Sequence, residues 1–149
     1  MIATKDYEKS NKETEVKYKS FSKKEYSDLL NAGTDIKNRK KAGQTLLDYL
    51  CDKYKISRIP LKVMNTGRKK TSKGETHGFY THSPLFKKGK DITIYNLTAV
   101  RKDVISIKTF INTLLHEFIH HYDTEFLKIE THHSKGFYLR ISDLDNKLK

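Results

Sequence analysis

"TLLHEFIHHYD", residues 113–123, interrupts an apolar run with His116, Glu117, His120 and His121. Around and within it, Ile107, Ile111, Leu114, Phe118 and Tyr122 recur at three- and four-residue spacing, which predicts an amphipathic helix with these five on its core face. At ~100° per residue, His116 and His120 fall roughly opposite that face, one turn apart. Their imidazoles then project in one direction, as two ligands of one ion must. Glu117 points to the side, beside such an ion rather than onto it. Leu115, Phe118 and Ile119 make the helix apolar almost all round. The histidine face is therefore expected in a cleft, and the plainer reading of two surface histidines fits this company poorly.

The pattern is H-E-x-x-H, read here as "HEFIH". Zinc takes such nitrogen ligands in a tetrahedral arrangement. A carboxylate at the second position is placed to serve as general base toward a water on the ion. A catalytic zinc needs a third protein ligand and an open position. Downstream candidates are Asp123, Glu125, Glu130, His132 and His133. Asp123 would crowd the helix that already carries two ligands, so its better role is to accept a hydrogen bond that orients an imidazole. Glu125 falls toward the core by angle. His132 and His133 follow the expected helix end, where the chain can fold back, and one of them is the sensible choice. A metzincin would need His at 126, where this chain has Phe126.

Outward from the motif, "HSKGFYLRISDLDNKL" predicts a last helix from about Ser134 to Leu148, and the motif helix itself runs from Asp103 or Ser106 to Leu127. Upstream, "DITIYNLT" (91–98), "HGFYTH" (77–82) and "RIPLKVMN" (58–65) read as strands, and "TGRKKTSKGET" as a loop. Asp35 to about Lys55 reads as a helix with Leu46, Leu47, Leu50 and Tyr54 on one stripe, and "SKKE" at 22–25 is a capping-box pattern. Residues 1–20 are polar and are expected as a loose arm. The order of helices, three strands and two helices predicts an α+β domain over 21–149 with a small antiparallel or mixed sheet.

The chain has 149 residues, one domain's worth, and one cysteine. Cys51 alone forms no internal disulfide and no four-cysteine zinc site; within its apolar stripe it reads as packing. No stretch approaches the ~18 apolar residues of a membrane span, and the first 20 residues lack the apolar core of a secretory signal, so a cytoplasmic location is expected. The net charge of +12 is uneven: residues 1–90 hold 22 Lys and Arg against 10 Asp and Glu, while residues 91–149 hold 8 of each. This suits either a solvated lysine-rich surface or weak, sequence-independent contact with nucleic acid, centred on Arg68, Lys69, Lys70 and Lys73. His77 and His82 flank a strand and read as polar surface.

"TLLHEFIHHYD" followed by "HSKGFYLRISDL" resembles the SprT-like (Spartan-type) zinc metallopeptidase domain. In that family an H-E-x-x-H helix is followed by a His four residues before an aromatic that opens the closing helix. His133 and Phe137 match that spacing and His132 does not. The strand "DITIYNLT" before the metal helix also matches, so the resemblance covers about residues 77–148. It implies a zincin-like minimal metallopeptidase core: N-terminal helices, a small three-stranded sheet, the metal helix and a closing C-terminal helix. It implies one Zn2+ per chain held by His116, His120 and His133, with Glu117 as general base in hydrolysis of a protein or peptide substrate, including DNA-associated proteins. Ser134 stands where the family usually has Gly, and a single Cys leaves no four-cysteine ribbon in this sequence. An oxyanion needs a donor besides zinc, and Tyr138, Arg140, His132 and His121 are the candidates. If "DITIYN" is a sheet edge, it could bind an extended substrate by strand addition. The rival class is a basic nucleic-acid-associated module with a non-catalytic zinc. Glu117 argues against it, because a structural site needs no such carboxylate and closes with four protein ligands.

Overall fold

The computed structural model describes residues 3–67, 78–83 and 88–149. Among these, the helices are α1 (Ala3–Lys12), α2 (Lys24–Leu30), α3 (Ile36–Tyr54), α4 (Ile107–Tyr122) and α5 (Lys135–Leu148), and the strands are β1 (Leu61–Gly67), β2 (Gly78–Ser83) and β3 (Lys88–Leu97). The α+β class expected from the element order is the one observed. No helix among the described residues is long and apolar enough to cross a membrane.

The central helix is α4. Ser106 caps it, its hydroxyl accepting from Thr109 N at 3.1 Å. Ile111, Leu114, Phe118 and Tyr122 of the predicted face are buried, and so are Phe110, Leu115 and Ile119. Ile107 is only partly buried, at the margin of the core. Each large side chain removed from water this way contributes about 1.5–3 kcal/mol. Helix α3 lies on one side, with Leu46, Leu47, Leu50 and Cys51 fully buried. Its ends follow from sequence. The Asp35 carboxylate accepts from Asn38 N at 3.2 Å, and Lys55 ends the helix in a left-handed conformation (φ 56°). At α2 the Ser22 hydroxyl donates to Glu25 Oε2 at 2.6 Å, so the predicted box closes between side chains.

The sheet is mixed, in the order β1-β3-β2. β1 runs parallel to β3 with Leu61 opposite Ile92, and β2 runs antiparallel to β3 with Tyr80 opposite Ile92. The strand around Asp91–Asn96 is therefore central, with Ile92 and Ile94 fully buried, and is not an edge. Among the described strands, the outer one beside the histidine helix is β2. Gly78 permits its approach: a Cβ there would meet Thr93 O at 2.7 Å and Thr113 Cγ2 at 2.8 Å.

Residues 3–20, expected as a loose arm, pack against the domain. Ser10 and Val16 are buried, and the side chain of Arg140 in α5 reaches the carbonyls of Ser10 and Glu13, both at 2.6 Å. Composition misses this because the ties are scattered single contacts, backbone carbonyls on Arg140, the Asp6, Ser10 and Asn11 side chains on residues 130–136, and a lone buried Val16, rather than an apolar stripe.

Candidate metal centre

One helical turn sets His116 and His120 together, with ring centroids 5.1 Å apart. Bringing in a third imidazole takes more. After Tyr122 the helix widens into a π-helical turn over Asp123–Leu127, and Lys128 ends it in a left-handed conformation (φ 59°). The chain then doubles back, and residues 129–133 return alongside α4. Ser134 caps α5, its hydroxyl accepting from Phe137 N at 3.1 Å. Phe137 is fully buried and lies under all three rings, with centroids 5.0, 4.6 and 5.2 Å from His116, His120 and His133. The aromatic four residues after His133 is thus the floor of the site.

His116, His120 and His133 each offer a ring nitrogen within 4.8 Å of the others, a group that could hold a metal ion. The Nε2 atoms of His120 and His133 are 3.0 Å apart. Two nitrogens on a tetrahedral zinc stand about 3.3 Å apart, given Zn–N bonds of about 2.0–2.1 Å. That pair fits such an ion with a shift of a few tenths of an ångström, and the His116 nitrogen lies within 4.8 Å of both. Burial, with help from the charge of His133, pushes His116 down to about 4; burial, with His116 and His133, pushes His120 down to about 3. Both are neutral at pH 7, with lone pairs for a metal. Glu117 is buried at 6 % exposure, with its Oε2 4.0 Å from His116 Nε2.

The three histidines and Glu117 share a cleft of about 440 Å³ with Gly78, Phe79, Tyr80 and Thr131. One wall is the outer strand β2. A larger cleft of about 630 Å³ between α2, α4 and α5 contains Tyr26, Ile111, Ile141 and Leu148, but its only carboxylate is Asp145 and it has no histidine.

The remaining predicted site residues fall differently. His132 turns away from the group and meets Tyr7 edge-on, centroids 5.8 Å apart. Arg140 is fully buried behind the site and donates to Asp123 Oδ2 at 2.7 Å, so it is no oxyanion donor. His121 is also fully buried, bridging Ser57 O at 2.8 Å and the Tyr80 hydroxyl at 3.1 Å. Tyr138 is half exposed beside the site, its ring 6.1 Å from those of His116 and His133. Asp123 does not touch an imidazole directly; Thr131 stands between, with Oγ1 3.0 Å from Asp123 Oδ2 and 2.8 Å from His120 Nδ1. Burial pushes the Asp123 carboxyl up, against the pull of Arg140 and Thr131. Glu125 sits on Ser57 Oγ at 2.5 Å and Lys90 Nζ at 2.6 Å, outside the group. Glu130 lies on the return loop, with its Oε2 3.9 Å from His132 Nε2. Cys51 is buried, its thiol pushed up to about 12 chiefly by burial, which leaves no nucleophile there. Arg68, Lys69, Lys70, Lys73 and His77 lie outside the described residues. Sequence reasoning missed Thr131 and Tyr80, whose places depend on the reversal at Lys128 and on the strand order.

Comparison of the chain with models of known families, with curated proteins and with solved structures finds no match.

Proposed function

We propose that this chain is a zinc-dependent metallopeptidase of the SprT-like kind. The observation that carries the reading is the convergence of His116, His120 and His133 beside Glu117 in one cleft walled by strand β2. His116, His120 and His133 would hold the ion. When bound, zinc supplies Lewis acidity that brings the pKa of a water toward neutrality and polarises a carbonyl.

The chain's own groups do the rest. Glu117 is too close to the group to be incidental, yet it is not one of the three donors. As a carboxylate it takes the proton of the attacking water and returns it to the leaving amine. The neutral state of His116 and His120 keeps the donor nitrogens from competing protons at pH 7. An extended peptide fits along β2, whose Gly78, Phe79 and Tyr80 line the cleft and which is the last strand of the described sheet. Of the proposed oxyanion donors, Tyr138 is the one with an exposed side chain beside the histidine group, its ring 6.1 Å from those of His116 and His133. Three protein donors among the described residues also suit a catalytic ion better than a structural one, which closes with four.

The test is hydrolysis of an unfolded protein substrate by the purified chain. Cleavage should stop on chelation and return on adding about one equivalent of zinc per chain. Cleavage that survives complete removal of metal would overturn the proposal.

A further inference from the structure

Behind His120 runs a chain of contacts that nothing in the proposed hydrolysis requires. The Arg140 guanidinium, a donor only, reaches Asp123 Oδ2 at 2.7 Å. The Thr131 hydroxyl lies 3.0 Å from that same oxygen and 2.8 Å from His120 Nδ1. A hydroxyl has one hydrogen. If it went to His120, two oxygen acceptors, Thr131 Oγ1 and Asp123 Oδ2, would face each other at 3.0 Å with no proton between them. The hydrogen therefore goes to Asp123, and only lone pairs are left on Thr131 Oγ1 for the imidazole. His120 Nδ1 must then be the donor, and its Nε2 carries the lone pair that faces the other histidines. The far end of the chain is anchored as well. Arg140 Nη1 donates to the carbonyls of Ser10 and Glu13, both at 2.6 Å, and the Ser10 hydroxyl lies 2.7 Å from that of Ser134 at the cap of α5. Gly136 makes this approach feasible, since a Cβ there would run into Ser10 O and lie 2.8 Å from Asn11 Cα.

We propose that Thr131 and Asp123, held by Arg140 against the end of α1, are positioning residues that fix His120 as the Nδ1–H tautomer and aim its Nε2 at the ion. The role deepens the metal-site reading and rests on it for its purpose, but the tautomer itself is a property of the metal-free protein. An imidazole's second ring nitrogen is fixed in this way in many metal sites, and losing the partner typically costs 10–100-fold in metal affinity. Here the partner is a threonine that transmits the orientation of a buried ion pair, and the residues of α1 become part of the metal site without touching it.

The test compares wild type, Thr131→Val and Thr131→Ser as full chains. Long-range 1H–15N spectra of the histidine rings in metal-free protein read the tautomer, and competition with a chelator reads zinc affinity. Wild-type His120 should carry its proton on Nδ1. Thr131→Val, which keeps the shape and removes the hydroxyl, should shift His120 toward the Nε2–H tautomer and weaken zinc binding about 10–100-fold. Thr131→Ser should regain both. A wild-type His120 protonated on Nε2 would overturn the proposal, and so would a Thr131→Val protein with unchanged His120 signals and unchanged zinc affinity. Should wild type show the Nδ1–H tautomer, and Thr131→Val lose it, while neither takes up zinc, the relay stands and the metallopeptidase reading falls.

Discussion

Two of the three histidines are held by one helix, and the third is held by the rest of the protein. His116 and His120 are set side by side by the four-residue spacing of α4, whose opposite face is buried at Leu114 and Phe118. His133 sits on a loop pinned from a distant part of the chain: Glu130 N donates to Asp6 Oδ2 at 2.8 Å, the Ser10 and Ser134 hydroxyls meet at 2.7 Å, and Gly136 N reaches Asn11 Oδ1 at 3.3 Å. The contrast separates two ways of organising a site. Local helix geometry fixes a pair of ligands cheaply, whereas completing the set takes contacts that span 124 positions or more. Damage to the N-terminal segment should leave the placement of the helical pair intact and reach only the ring orientation of His120, through Arg140 and Thr131, whereas it should displace the third histidine itself.

The sharpest break of that contrast removes ligands outright. A His116→Ala, His120→Ala double variant should lose stoichiometric zinc, as measured by elemental analysis of protein purified without added metal. His133→Ala should bind zinc far more weakly than wild type, while His132→Ala should bind it nearly as well, because the His132 ring faces Tyr7. Loss of zinc in His132→Ala with retention in His133→Ala would mean the return loop is misread.

A subtler variant attacks only the distant support. Gly136→Ala places a Cβ against the backbone of Ser10 and Asn11, which cannot give way as a flexible side chain would. It should cost about 1–3 kcal/mol of stability in denaturant unfolding. Zinc affinity should fall with it, although α4 is untouched. Equal stability and equal affinity would show that α1 is not part of the site's support.

How much of this was legible in the sequence follows the same division. The helices are readable because their apolar spacing and their caps, Asp35, Ser106 and Ser134, are local. His116 and His120 are readable for the same reason. His133 is reached through its spacing to Phe137, a local signal whose meaning, a ring under three imidazoles, appears only in three dimensions. Thr131 carried no signal. Its contact with His120 depends on a π-helical turn and a left-handed lysine, and neither has a strong residue preference at these positions. The packing of residues 3–20 was equally hidden, because backbone carbonyls bind Arg140 regardless of which side chains they carry. Strand order was hidden too: alternation in "DITIYN" marks a strand but does not say whether it lies at the edge or the centre.

The smallest effect concerns the outer tie between the sheet and the π-helical turn. Bonds from Lys90 and Ser57 hold the Glu125 carboxyl down at about 2. A carboxyl depressed in the folded state contributes its stability above its ordinary value of about 4.5 and loses it as pH falls from there toward 2. Unfolding measured across that window should show an acid-dependent loss of about 1 kcal/mol in wild type that is missing from Glu125→Gln. The zinc site should be unaffected at pH 7, since Glu125 lies outside the histidine group. An identical acid profile for the two proteins would remove Glu125 from the account of stability.

The central claim is that the histidine group works with Glu117 as a hydrolytic centre. Glu117→Gln keeps the size of the side chain and its hydrogen-bonding reach but cannot accept the proton. Zinc content and cleavage of an unfolded protein substrate, measured on the same preparation of that variant, test the claim most directly. Zinc should remain at about one per chain while the rate falls about 10²–10⁴-fold below wild type. Equal rates for wild type and Glu117→Gln, at equal zinc content, would contradict it.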